Sequence, residues 1–139
     1  MGLMIALETA AAIVEEEFAA SFPGRRLLGA WMYGSRTRDE HRPDSDIDLA
    51  VLCDAPLDPV DLFDASGRLA ARLGAPVDLV DLRRAGGLLR VEATHRGKLL
   101  TPPTTEADFF TAHALSDHAA FAPNRRAATR ALEERHRGR

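Results

Sequence analysis

Apolar positions along the chain repeat with two different periods, and the switches between them mark out the elements. Leu7, Ala11, Val14 and Phe18 recur at helical spacing while Glu8, Glu15 and Glu16 fall elsewhere. This predicts a helix from about Leu3 to Ala20, stopped by Phe22-Pro23-Gly24. Arg26 to Tyr33 reads as a strand feeding the Gly34-Ser35 turn, and a short helix is expected from Ser35. Asp46 to Cys53 is a second strand, and Ile47, Leu49, Val51 and Leu52 imply cover on both faces. Asp58-Pro59 opens the next helix with Asp as N-cap, Pro at the first helical position and Asp61 in the first turn. Leu62, Leu69 and Leu73 form its stripe, and Gly74 followed by Pro76 ends it. Val77 to Leu82 is a third strand, Arg84 to His95 a helix and Lys98 to Thr101 a short strand. Thr101 to Thr105, with its two prolines, is a rigid connector. Thr105 to Ala122 and Asn124 to Arg137 read as helices parted or kinked at Pro123. The expected class is α/β: a small mixed β-sheet flanked by helices, with a core over 1–101 and a helical C-terminal extension over 102–139. That extension is packed on the core or projects from it, within a single domain overall.

At 139 residues the chain has room for one real core. No run is long enough to span a bilayer and no basic-then-apolar signal pattern opens the chain, so a cytoplasmic location is expected. Cys53 stands alone and cannot form an internal disulfide; on the strand face opposite Asp46 and Asp48, it reads as a small buried hydrophobe. The net charge of −3 is uneven. From Pro123 onward there are six arginines and two glutamates, leaving twelve basic and nineteen acidic residues before it. Such a tail suits either a solvated helix or contact with nucleic acid or an acidic protein.

The stretch WMYGSRTRDEHRPDSDIDLAVLC carries the chemistry: Gly34-Ser35, ten residues, then Asp46-Ile47-Asp48 at the head of an apolar strand. A glycine-serine turn offers N–H groups and a hydroxyl to phosphate oxygens. Aspartates at i and i+2 share one side of a strand, with Cα atoms about 6.6 Å apart, enough to straddle two metal ions roughly 3.5–4 Å apart. Carboxylates are depleted in strands, and two so close repel unless a cation compensates. Asp78, inside the run Val77-Asp78-Leu79-Val80-Asp81-Leu82, can join them if its strand is the neighbour; Asp81 reads as a turn or helix-capping residue. Asp46 and Asp48 would hold one magnesium ion against a nucleoside triphosphate, and all three would share a second beside the acceptor hydroxyl. Asp78 is then the candidate proton acceptor. Gly34 and Ser35 would grip the terminal phosphates, and a loop arginine, Arg38 before Arg36, would neutralise the leaving group. His41 could touch the nucleotide; His113 and His118, five apart, lack metal-pair spacing.

At these residues the chain resembles the minimal nucleotidyltransferase (MNT) group of the DNA polymerase β-like superfamily. YGSRTRDEHRPDSDIDLAV is similar to the Gly-Ser-x10-Asp-x-Asp signature and PVDLVDL to the position of the third acid, with weaker likeness through THRGKLLT and FFTAHALSDHAAFAPNRRAATR. Gly34, Ser35, Asp46, Asp48 and Asp78 match the motif. The resemblance implies a polymerase β-like palm, two Mg2+ ions and ATP as substrate. It further implies an antitoxin that pairs with a HEPN-domain ribonuclease toxin and neutralises it by moving AMP to a toxin tyrosine. No membrane and no direct nucleic-acid contact are expected. Two alternatives stand: an antitoxin acting by complex formation alone, and a nucleotidyltransferase for a small acceptor of the aminoglycoside kind. The short extension beyond the core favours a macromolecular acceptor that brings its own recognition surface.

Overall fold

The computed structural model describes residues 6–34 and 46–118. Four strands form one sheet: β1 (Leu27–Tyr33), β2 (Ile47–Cys53), β3 (Val77–Asp81) and β4 (Lys98–Leu99), in the order β3-β2-β1-β4. β1 is antiparallel to β2 and β4, whereas β2 and β3 run parallel. Helices α1 (Leu7–Ser21), α2 (Pro59–Leu73) and α3 (Gly87–Val91) accompany them, α3 passing directly into a π-helical turn, Glu92–Arg96. A fourth helix, α4, occupies 105–118.

Both faces of the central strands are buried, which is why β2 lacks simple alternation. Ala30, Met32, Ile47, Leu49, Val51 and Cys53 face α1 and α2, meeting Ala10, Val14, Phe18, Ala65, Leu69 and Leu73. Trp31, Tyr33, Ala50 and Leu52 face the other way, against Leu82, Ala93 and Ala107. Cys53 is buried and unbridged on the side away from Asp48, as its place in the strand requires. Two residues of β1 oppose one of β2 between Leu27 and Gly29, a bulge that turns Leu28 toward the second layer.

Polar groups tie the elements in register. Asp58 caps α2 by accepting from the N–H groups of Val60 (2.8 Å) and Asp61 (3.3 Å). Asp81 is a buried brace: its carboxylate accepts from the Leu57 N–H (2.9 Å) and the Arg83 N–H (3.0 Å). That is the turn role read for it. Thr104 serves two elements at once, donating from Oγ1 to the Leu28 carbonyl (2.8 Å) and accepting from the Ala107 N–H (3.0 Å). It thereby caps α4 and satisfies the bulge. The connector is thus a set of specific bonds, Thr101 Oγ1 also accepting from the Ala30 N–H (3.2 Å).

Several boundaries differ from expectation. Helix α1 begins at Leu7 because Ala6 is extended, at ψ 142°. Asp46 lies just before β2 rather than within it. The helix expected over Arg84–His95 starts only at Gly87, since Asp81 holds Arg83 in the preceding turn, and it runs on to Arg96 by widening into the π-helical turn. β4 ends at Leu99 instead of Thr101. The short helix from Ser35 and the helix from Asn124 fall outside the described residues.

Candidate active site

The carboxyl end of β1 and the amino ends of β2 and β3 meet at one place. Strand register aligns Tyr33 with Asp48 and Asp48 with Asp78, so one row crosses three strands. Residues paired this way carry their side chains on the same face, here the one opposite α1 and α2. Asp48 is half-buried and Asp78 exposed, while Asp46 sits exposed two residues before Asp48. Burial, then the charge of Asp78, then that of Asp46 raise the Asp48 carboxyl above its ordinary range. The charges of all three aspartates therefore meet at Asp48.

Gly34 completes the corner. Its φ of +78° lies in the left-handed region, and a Cβ there would overlap the Asp48 carboxylate. Only glycine satisfies both constraints, and the turn is pressed against the acid it serves. Ser35, Arg36, Arg38 and His41 lie outside the described residues, so the structure brings together Gly34, Asp48 and Asp78 with Asp46 alongside.

Tyr33 is a neighbour that sequence reasoning missed. Its phenol is pushed up to about 12, first by burial, then by Asp48, Asp78 and Glu92. It stays a neutral hydroxyl beside the acids. The signal was available: Tyr33 directly precedes Gly34, and any tight pairing of β1 with β2 sets it opposite Asp48. Glu92 had no such signal. It reaches this neighbourhood because the π-helical turn lies against the end of β1, where a Cβ at Gly97 would stand 2.9 Å from the Met32 carbonyl oxygen and 3.1 Å from Tyr33 Cβ.

The donor set suits a hard divalent cation, being carboxylate oxygen throughout, and Asp48 is raised first by burial and then by the charges of Asp78 and Asp46 beside it. Among the described residues, no three acidic, histidine or cysteine side chains close into a ready-made cage. Asp48 and Asp78 form the core of the donor set and Asp46 adjoins it. Two of the described histidines are engaged elsewhere: His95 donates to the Thr111 carbonyl (2.9 Å) and His113 to the Phe109 carbonyl (3.0 Å). Concavities of about 450 and 440 Å³ flank α4 and are lined by none of Asp46, Asp48 and Asp78, so the chemistry and not the size of a hollow locates the site.

Residues 18–105 match the family of polymerase beta nucleotidyltransferases, a span that contains the whole sheet and the row of acids. The chain belongs to this family. It is a nucleotidyltransferase, built on a palm that matches solved members of the fold. One similar structure is a chain of a toxin–antitoxin complex crystallised with AMP-PNP (26% identity, TM-score 0.79, covering 88% of this chain and 98% of that one). A second is a chain of the toxin–antitoxin pair MntA–HepT (25% identity, TM-score 0.75, covering 90% and 97%). A third comes from a tri-AMPylated Shewanella oneidensis HEPN toxin in complex with its MNT antitoxin (TM-score 0.76, covering 92% and 99%). At 24% identity that last likeness is one of fold. Among curated proteins, none matches the chain significantly. No helix among the described residues is long and apolar enough to cross a membrane.

Proposed function

We propose that this nucleotidyltransferase is an antitoxin that transfers AMP from ATP to a tyrosine hydroxyl of a HEPN-domain toxin and thereby silences it. One observation carries the reading: the row Asp48–Asp78 with Gly34 packed onto Asp48, which joins a phosphate-gripping turn to a pair of acids. Similarity to the toxin–antitoxin chain crystallised with AMP-PNP supports both the nucleotide and the biological setting.

Each residue has a distinct task. The Gly34-Ser35 turn holds the terminal phosphates through backbone N–H groups and the serine hydroxyl. Arg38, with Arg36 second, neutralises charge on the leaving pyrophosphate. Asp46, Asp48 and Asp78 would hold divalent cations, Mg2+ by donor chemistry, which when bound neutralise the triphosphate and acidify the acceptor hydroxyl. Asp78, exposed on the outermost strand of its side, faces the acceptor and takes or orients its proton. The acceptor oxygen bonds to the α-phosphorus, the bond from that phosphorus to the bridging oxygen breaks, and pyrophosphate departs. The buried Tyr33 stands beside Asp48 in the same row.

Incubating the chain with α-labelled ATP, magnesium and a HEPN-domain protein from the same genome tests the reading. The expected result is label on the HEPN protein, lost with Asp48→Asn. An unlabelled HEPN protein would count against it. Neutralisation that survives Asp46→Asn and Asp48→Asn would make complex formation the mechanism, and pyrophosphate release driven by an aminoglycoside alone would point to a small acceptor.

A further inference from the structure

β3 forms one outer edge of the sheet, and two hydrogen bonds fix which way its peptide groups point. Ile47 N–H donates to the Pro76 carbonyl (2.8 Å) and Leu82 N–H donates to the Val51 carbonyl (3.0 Å). Peptide groups of successive strand residues point to opposite sides, so Pro76, Asp78, Val80 and Leu82 turn toward β2 and Val77, Leu79 and Asp81 turn outward. No further strand lies beyond β3 among the described residues. The outward carbonyls at the two ends are occupied: Val77 accepts from Ser66 Oγ (2.6 Å) and Asp81 accepts from the Arg84 N–H (3.0 Å). Between them the N–H and C=O of Leu79 take part in no hydrogen bond among the described residues. The edge is blunted at its ends and open in its middle.

That opening adjoins the site. Asp78 precedes Leu79, is exposed, and carries its side chain on the face shared with Asp48. A strand added beyond β3 would lie about 4.8 Å away, and its residue opposite Asp78 would project from the same face. A tyrosine at that position would lay its hydroxyl over the Asp78–Asp48 row. We infer that the open edge of β3 docks the acceptor protein as a short extended segment, paired with the Leu79 peptide groups and presenting its tyrosine opposite Asp78. This rests on the protein-acceptor reading above and adds where the acceptor binds. Ser66 and Arg84 limit the docked segment to a few residues, so the edge supplies register while the rest of the partner supplies affinity.

The outward direction of the Leu79 N–H gives a clean test, since proline is tolerated on an edge strand where its missing donor faces solvent. Leu79→Pro should bind ATP as the unchanged chain does, yet label the HEPN protein about tenfold more slowly. In the complex of the unchanged chain with that protein, amide exchange at Leu79 should slow sharply, while Val80, already within the ladder, should not change. Full-rate labelling by a folded Leu79→Pro variant, or unaltered Leu79 exchange in the formed complex, would overturn the inference. So would a Leu79→Pro variant that merely converts a dimer of this chain to monomer, because the edge would then join two copies. If Leu79→Pro does not fold, the exchange measurement decides alone. Failure of the unchanged chain to label the HEPN protein at all strikes the functional reading itself, and is thereby told apart from failure at the edge.

Discussion

At the scale of single residues, the contact between Gly34 and Asp48 governs what the site tolerates. Gly34→Ala meets a left-handed backbone and the Asp48 carboxylate at once. It should cost about 1–2 kcal/mol of stability and at least tenfold in nucleotide transfer. Thermal unfolding and transfer kinetics on the same preparation check both. Asp48 itself gives a pH prediction whose sign follows from its raised carboxyl. The folded chain holds the Asp48 proton more tightly than the unfolded chain does, so stability falls as pH rises from the ordinary carboxylate value through the raised one, and stays lower above it. Asp48→Asn should therefore raise the Tm at neutral pH without divalent cation, show little gain at pH 3, and abolish transfer. Added magnesium should stabilise the unchanged chain and not this variant, through binding to the folded state alone. A Tm for Asp48→Asn that is lower at neutral pH would contradict this account of Asp48.

At the scale of elements, β3 carries two aspartates three positions apart with opposite duties. Asp78 is exposed in the row of acids; Asp81 is 3% exposed and holds the amides of Leu57 and Arg83. Asp78→Asn should leave the unfolding midpoint in denaturant nearly unchanged while removing transfer. Asp81→Ala should cost about 2 kcal/mol by leaving the buried Leu57 N–H and the half-buried Arg83 N–H without their acceptor. The same strand shows what sequence could reveal. Its apolar run and the parity of Asp78 were legible, as was the Asp58 cap, because each depends on local spacing. The neighbour relation of β2 and β3 was only a condition there, since no local pattern states which strands pair. The widening of α3 into a π-helical turn was not legible either. It accompanies the close approach of Gly97 to β1, a tertiary contact that no local pattern states, and Glu92 lies in that turn.

At the scale of the whole molecule, the sheet is a wall with a layer of helices on each side, and the two layers are secured differently. α1 and α2 are bound to each other by ion pairs of Arg72 with Glu16 (2.8 Å) and Glu17 (3.4 Å) above a continuous apolar layer. α4 is held by Ala107 and Phe110 in the second layer, the Arg26–Glu106 pair (2.8 Å), Thr104, and the bond from His95 to the Thr111 carbonyl. Thr104→Val removes a helix cap and orphans the bulge carbonyl of Leu28 in one step. It should cost about 1–2 kcal/mol, read by chemical denaturation, and release α4 before the sheet, so that amides within 105–118 exchange faster than those of β2. Trp31 lies under this same layer, 3% exposed, close to Gly29 and facing Ala107. It is the sole tryptophan. The chain thus carries a built-in optical probe: its emission should be blue-shifted while α4 is seated and move to longer wavelength on release, in a channel that adenine nucleotides do not emit in.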